Sequence, residues 1–276
     1  MSARVESGYD AQRNGLADLV GISYPKVLLS DMTLAPAALA RLERVLDEQR
    51  RRELLAAHGF APLRRLLFTG PIGTGKSMTA SALATELSLP LVTIRIDALI
   101  SKYTGETAAK LRVVFDAMTH SRAVCLFDDL DASVGWRVAG DDIAEARRVL
   151  TMFLSFLADT QPESLVVAVV DHRSFLDNAL LCRFDAVIHY TLPDPAQALE
   201  LLRQHLVCVD TAKVCWEEIP GHARGLSHAG LARAAETAAK HAILHGEGWV
   251  STDALIRALG ESRGPHQPTG FSRSRS

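Results

Sequence analysis

The stretch LRRLLFTGPIGTGKS, Leu63–Ser77, runs from an apolar strand candidate into a glycine-rich turn, and a helical stretch, Ser77–Leu87, follows it directly. Gly70–Ser77 fits G-x-x-x-x-G-K-[ST] in the context that gives the pattern physical meaning, a strand before and a helix after. Glycines at 70, 73 and 75 let successive backbone N–H groups turn inward on phosphate oxygens, and the helix N-terminus adds its partial positive charge. In such a cradle Lys76 reaches the β and γ phosphates and the Ser77 hydroxyl meets a magnesium ion. A chance glycine-rich turn has no reason to be followed by a second, acidic strand end, and this chain has one.

That second strand end is CLFDDLD, residues 125–131. An apolar run terminates there in Asp128 and Asp129, with a third carboxylate at Asp131, and Asp128 is placed to hold the magnesium as a strand-terminal acid. Further strand candidates, 90–96, 164–170 and 186–192, alternate with helical stretches, which predicts an α/β fold of the P-loop NTPase kind: a parallel sheet with helices on both faces. An amphipathic helix is expected from Pro36 to about His58, with Leu39, Leu42, Val45, Leu46 and Leu54 on its apolar side and Gly59 stopping it. Beyond Pro193 only helical periodicity remains, which marks a small helical domain. The expected organisation is a mobile or loosely docked N-terminal arm over 1–30, the α/β domain over 31–192, the helical domain over 193–262 and a disordered tail over 263–276.

Of the 276 residues 48% are hydrophobic, enough for a sizeable core, and the formal net charge of -2 offers no basic field for nucleic acid or an anionic membrane. No apolar run approaches a membrane span and the N-terminus lacks a signal peptide's order, so the expected address is the cytoplasm. Cys125, Cys182, Cys208 and Cys215 lack the spacing of a zinc site or a disulfide framework, and are expected to be reduced, mostly buried thiols. His241 and His245 lie four apart in HAILH, without the glutamate of a zinc protease motif.

Taken in order, these motifs resemble those of the AAA+ ATPases, in the clade that includes the membrane-anchored AAA proteases, the microtubule severers and the segregase ATPases. GPIGTGKS resembles that clade's GPPGTGKT; SKYTGETAAKLRVVFDAM (101–118) resembles its aromatic pore loop and following helix; CLFDDLD resembles its IDEID. DHRSFLDNALLCRFDAVIHYTLPD (171–194) resembles its second region of homology, and GLSHAGLARAAETAAKHAI (225–243) its lid helix with sensor 2. The resemblance covers about residues 31–260.

It implies that Gly70, Pro71, Ile72, Gly73, Thr74, Gly75, Lys76, Ser77 and Met78 bind ATP, with His205 near the base or ribose and Ala229 at the sensor 2 position. Ser77 and Asp128 would hold Mg2+, Asp129 would polarise the attacking water, and Asp171 would take the sensor 1 place. Arg183 would be an arginine finger offered to the ATP of a neighbouring subunit, a group worth about 10³ to 10⁵ in rate. Tyr103, Thr104 and Gly105 would form the pore loop that grips a polypeptide. The implied partners are further copies of the chain, as a hexameric ring, a protein or peptide substrate, and a separate protease or adaptor; neither nucleic acid nor membrane is implied.

Three positions depart from the family's pattern, and all three bear on hydrolysis. Asp129 stands for the usual glutamate base and is one methylene shorter, and a misplacement of roughly 1 Å can cost about a hundredfold in rate. Asp171 stands for the usual asparagine: an amide donates and accepts, an ionised carboxylate only accepts and adds negative charge. Cys182-Arg183 replaces the paired arginines, leaving one finger candidate. Two functions follow as expectations: a slow ring-forming ATPase that remodels or translocates proteins, or an ATP-gated scaffold that hydrolyses little. A P-loop kinase of small molecules has no need of the second region of homology or the lid.

Overall fold

A computed structural model describes residues 18–99, 104–130, 142–171, 181–246 and 248–263. Two compact units emerge: one holds the chain up to Pro71 and Gly75–Tyr190, the other Ile72–Thr74 with the chain from Thr191 onward.

In the first unit the elements are β1 (Val20–Ser23), α1 (Pro36–Arg50), α2 (Arg52–Ala57), β2 (Arg65–Thr69), α3 (Lys76–Glu86), β3 (Leu91–Ile94), α4 (Ile96–Leu99), α5 (Thr104–His120), β4 (Val124–Phe127), α6 (Asp142–Asp159), β5 (Leu165–Val170) and β6 (Ala186–His189). The sheet has the order β1-β3-β4-β5-β2-β6, and every pairing is parallel except that of β1 with β3. The near-continuous apolar runs of β2, β4 and β5 suit strands covered on both faces, and all six residues of β5 are buried. Alternate side chains divide between two cores. Leu67, Cys125, Phe127, Val166 and Ala168 face α5 and α6, where Phe115, Phe127 and Phe153 form an aromatic cluster with centroids 4.7 to 5.9 Å apart. Leu66, Phe68, Val124, Leu126, Val167 and Val169 pack on the other side with Leu42 and Val45 of α1 and Ala80 and Leu83 of α3.

Three expectations need correction. Part of the segment expected as an N-terminal arm is strand: Val20–Ser23 pairs antiparallel with Leu91–Ile94, and the Arg95 N–H donates to the Leu19 carbonyl at 2.8 Å. An edge strand of four residues, buried only in part, leaves no run of apolar residues to mark it. The helix expected over 36–58 breaks at Arg51 into α1 and α2; α2 buries no residue, and Leu54 is 58% exposed, so nothing on that segment compels one continuous helix. Of the four cysteines only Cys125 is buried, and burial pushes its thiol up to about 12; Cys182, Cys208 and Cys215 are exposed. Residues 1–17, Tyr103, Asp131 and the tail from 264 lie outside the described residues.

The second unit contains α7 (Pro195–His205), α8 (Ile219–Ala223), α9 (His228–Leu244) and α10 (Thr252–Glu261). Asp194 starts α7 with a reciprocal cap, its carboxylate accepting from the Gln197 N–H at 2.8 Å while the Asp194 N–H donates to the Gln197 side chain at 3.1 Å. Ser227 and Ser251 cap α9 and α10. Small and large apolar residues interlock in its core, Ala234, Ala235 and Ala238 of α9 against Leu201, Leu202, Leu255 and Leu259. The unit is not wholly helical, because Asp210 and Trp249 form an isolated bridge. No helix among the described residues is long and apolar enough to cross a membrane.

Candidate functional site

Three strand ends lie side by side at the carboxyl edge of the sheet, the edge at which open α/β sheets take ligands. The order β4-β5-β2 and the pairings Phe127↔Ala168 and Thr69↔Val170 bring Asp128, Asp171 and Gly70 together, each the first residue past its strand. Backbone bonds lock the arrangement: the Gly70 N–H donates to the Val170 carbonyl at 3.3 Å and the Leu130 N–H to the Val169 carbonyl at 3.1 Å.

From Gly70 the loop curls under three glycines with positive φ, 145° at Gly70, 75° at Gly73 and 96° at Gly75. Gly70 has no alternative residue. A Cβ there would stand 2.2 Å from the Tyr190 carbonyl oxygen and 2.9 Å from the carbon that bears it, both parts of the backbone and unable to yield. We expect Gly70→Ala to cost about 2 to 5 kcal/mol, combining left-handed strain with overpacking, and to lower the urea midpoint without a matching change in slope. Gly75 is the N-cap of α3, and no side chain caps that helix, so the first-turn N–H groups are not claimed by a capping side chain.

Lys76 is 5% exposed and its ammonium turns back across the loop. It donates to the Gly70 carbonyl at 2.7 Å and the Pro71 carbonyl at 2.9 Å, and it pairs with Asp171 Oδ1 at 2.8 Å. Asp171 itself is 15% exposed. Asp128 is half-buried and accepts from the Asp129 N–H at 3.2 Å. Asp129 is exposed and has φ 52°, a left-handed conformation that aspartate adopts at lower cost than most side chains with a Cβ. The Ser77 hydroxyl and the Asp128 carboxylate are hard oxygen donors, the kind a magnesium ion accepts.

The remaining residues singled out from the sequence are distributed as follows. Pro71, Ile72 and Met78 are exposed on the loop and the first turn of α3, and Thr74 is buried. Gly105 is exposed in the first turn of α5, which Thr104 begins. Arg183 is exposed in the turn before β6. In the second unit His205 is exposed in the last turn of α7, and the Ala229 N–H donates to the Gly73 carbonyl at 2.9 Å.

Two contributors carried no sequence signal. Met32, in an irregular segment, offers its sulfur to the Thr79 hydroxyl at 3.9 Å and brings its methyl within 3.0 Å of where a Gly75 Cβ would stand. Tyr190 supplies the carbonyl that excludes a side chain at Gly70, stacks at a tilt on Phe68 with centroids 5.5 Å apart, and has its phenol raised above the ordinary range by burial.

Comparison with known proteins agrees with this geometry. Residues 66–192 match the profile described as the ATPase family associated with various cellular activities (AAA). An uncharacterised AAA family ATPase, y4kL of Sinorhizobium fredii, is 34% identical over 187 residues, 68% of this chain and 57% of that protein. The proteasome-activating nucleotidase of Methanococcus vannielii is 29% identical over 221 residues, 76% of this chain and 54% of that one. The chain thus spans only a little over half the length of these two relatives. Among solved structures, the FIGL-1 AAA domain superposes with a TM-score of 0.68 at 20% identity, over 90% of this chain and 88% of that one, a likeness of fold. The glycine loop, the lysine behind it and the acidic strand ends all fall within or beside the matched segment, and the chain belongs to the AAA family of ATPases.

Proposed function

We propose that the chain binds ATP with magnesium in the Gly70–Met78 cradle, hydrolyses it slowly, and acts as a ring of identical subunits that remodels or translocates protein substrates. The observation that carries this reading is the buried Lys76 ammonium, held behind three positive-φ glycines beside two strand-end carboxylates. In this reading the inward N–H groups of the loop and Lys76 bind the phosphates, and Ser77 and Asp128 hold the magnesium. The metal, when bound, neutralises charge on the β and γ phosphates. Asp129 orients water by accepting its proton, and Arg183 reaches the nucleotide of the next subunit. The residues from 193 to 262 act as the lid, with His205 and Ala229 on its nucleotide side, and Tyr103, Thr104 and Gly105 line the pore. A separate protease or an adaptor would act together with the ring, a proposal supported by the name of the proteasome-activating relative.

A second reading, the ATP-gated scaffold, is favoured by one observation: the carboxylate at Asp171 occupies the lysine that phosphate needs. Steady-state phosphate release decides between the two. The native chain with ATP and magnesium is expected to release phosphate measurably and to sediment as a species of six 29.9 kDa subunits. Asp129→Glu is expected to raise release by roughly tenfold or more, since the longer side chain restores reach. It should also lower thermal stability slightly, by on the order of 1 kcal/mol, because glutamate tolerates φ 52° less well than aspartate. Release no faster than that of Lys76→Ala would remove the ATPase reading and leave the scaffold.

A further inference from the structure

The lysine of the cradle is saturated. Its three N–H donors meet three acceptors, two loop carbonyls and the Asp171 carboxylate, all within 2.9 Å. Neither partner of the ion pair is well solvated, with Lys76 at 5% and Asp171 at 15% exposure, so the charges act on each other with little screening by water. The contact is built by the sheet and not by flexible side chains meeting at a surface. Asp171 follows Val170, Gly70 follows Thr69, and the pairing Thr69↔Val170 holds the two strand ends level while Gly70 donates to the Val170 carbonyl.

We propose that Asp171 is a positioning residue that acts as an internal counter-ion in place of phosphate: it holds Lys76 in the nucleotide-free cradle and is displaced when a nucleoside triphosphate binds. The inference rests on the reading of the cradle as an ATP site. A phosphate oxygen that takes the ammonium has to replace Asp171 Oδ1 or a loop carbonyl. A displaced Asp171 is then a carboxylate left close to an anion, which disfavours the bound state further. Both effects weaken nucleotide binding. An asparagine at 171 has the same size, keeps an oxygen for Lys76 and adds two donors, but carries no charge to lose or to repel. The aspartate therefore makes loading conditional: the cradle stays neutralised until the triphosphate, with its metal, outcompetes it.

Titration of a fluorescent ATP analogue into the full chain tests this. Asp171→Asn is expected to bind at least about tenfold more tightly than the native chain, the small end of what two unit charges a few ångströms apart exert in a partly screened site. The gain should be smaller for the diphosphate, which brings less charge to be repelled. In turnover, KM for ATP should fall while kcat does not rise in proportion, a split that a purely structural role would not produce. Unchanged or weaker binding in Asp171→Asn, with a native-like melting curve, overturns the proposal. Should that variant fail to fold, Asp171→Ser removes the same charge with a smaller polar side chain, and its affinity is read in the same way. Lys76→Ala distinguishes the two levels. If it abolishes binding while Asp171→Asn matches the native chain, the ATP site stands and the counter-ion role falls; if it binds as the native chain does, the ATP-site reading falls and the inference with it.

Discussion

Lys76→Ala is expected to abolish nucleotide binding at working concentrations, raising Kd by about a hundredfold to a thousandfold. The ammonium is the cation of the loop, and losing one partner of a buried charged contact costs about 2 to 5 kcal/mol. The same substitution also acts without nucleotide. It leaves the Gly70 and Pro71 carbonyls without this donor and takes the ammonium from Asp171, which is 15% exposed and able to draw some water. A lower melting temperature in the variant alone is therefore no evidence about ATP. The discriminating measurement is the shift on adding ATP and magnesium. The native chain should gain stability as the logarithm of ligand concentration over Kd, and Lys76→Ala should gain nothing at the same concentration. An equal ATP-induced shift in both chains would remove Lys76 from the site.

Much of the fold is legible in the sequence because the α/β unit announces itself twice. Strands covered on both faces require unbroken apolar runs, and β2, β4 and β5 provide them; the loop after β2 requires glycines at 70, 73 and 75, each of which proves to have positive φ. Marginal elements carry no such requirement. The strand at Val20–Ser23 is held by backbone bonds to β3, which any residue except proline can make, and so its side chains need not declare it. The break at Arg51 is invisible for a related reason: the apolar period of α1 runs on into Leu54, whose exposure only tertiary packing decides.

The candidate site divides along the same line. Local chemistry, the loop followed by its lysine, is written in eight consecutive residues. The pairing of Lys76 with Asp171 is a consequence of register between β2 and β5, two strands distant in the chain, and no local pattern encodes it. The resemblance implies the sensor 1 place for Asp171, and says nothing of the contact that its carboxylate makes with the lysine. Tyr190 is a similar case, since it matters through a backbone carbonyl pressed against the loop, a contact that depends on position and hardly on residue type.

Arg183→Ala is expected to reduce phosphate release by about a thousandfold or more while nucleotide affinity stays within a fewfold of native, the signature of a group used only as transition-state charge develops. The structure explains why this exposed arginine has a defined base. Phe184, directly after it, is 8% exposed, and its N–H donates to the Leu181 carbonyl at 3.2 Å. One residue further, the Asp185 carboxylate accepts from the Arg64 and Arg65 N–H groups, both at 2.9 Å, and from the Arg65 guanidinium at 3.0 Å. The chain is thus anchored immediately beyond Arg183, whose own side chain is exposed. Such an arrangement suits delivery to a neighbour, and mixing tests it. Lys76→Ala lacks a working cradle but keeps Arg183, whereas Arg183→Ala keeps the cradle and lacks the finger, so each alone should be nearly inactive. Mixed in equal amounts, they should recover up to roughly a quarter of native release, the chance that an intact cradle faces an intact finger across a head-to-tail ring interface. A finger acting within its own subunit would give no recovery on mixing. An arginine engaged only in a surface ion pair would leave release in Arg183→Ala near the native rate, because such pairs contribute about 0 to 1 kcal/mol. The three outcomes differ by orders of magnitude, so a single set of release rates assigns Arg183 to the neighbour's site, its own, or neither.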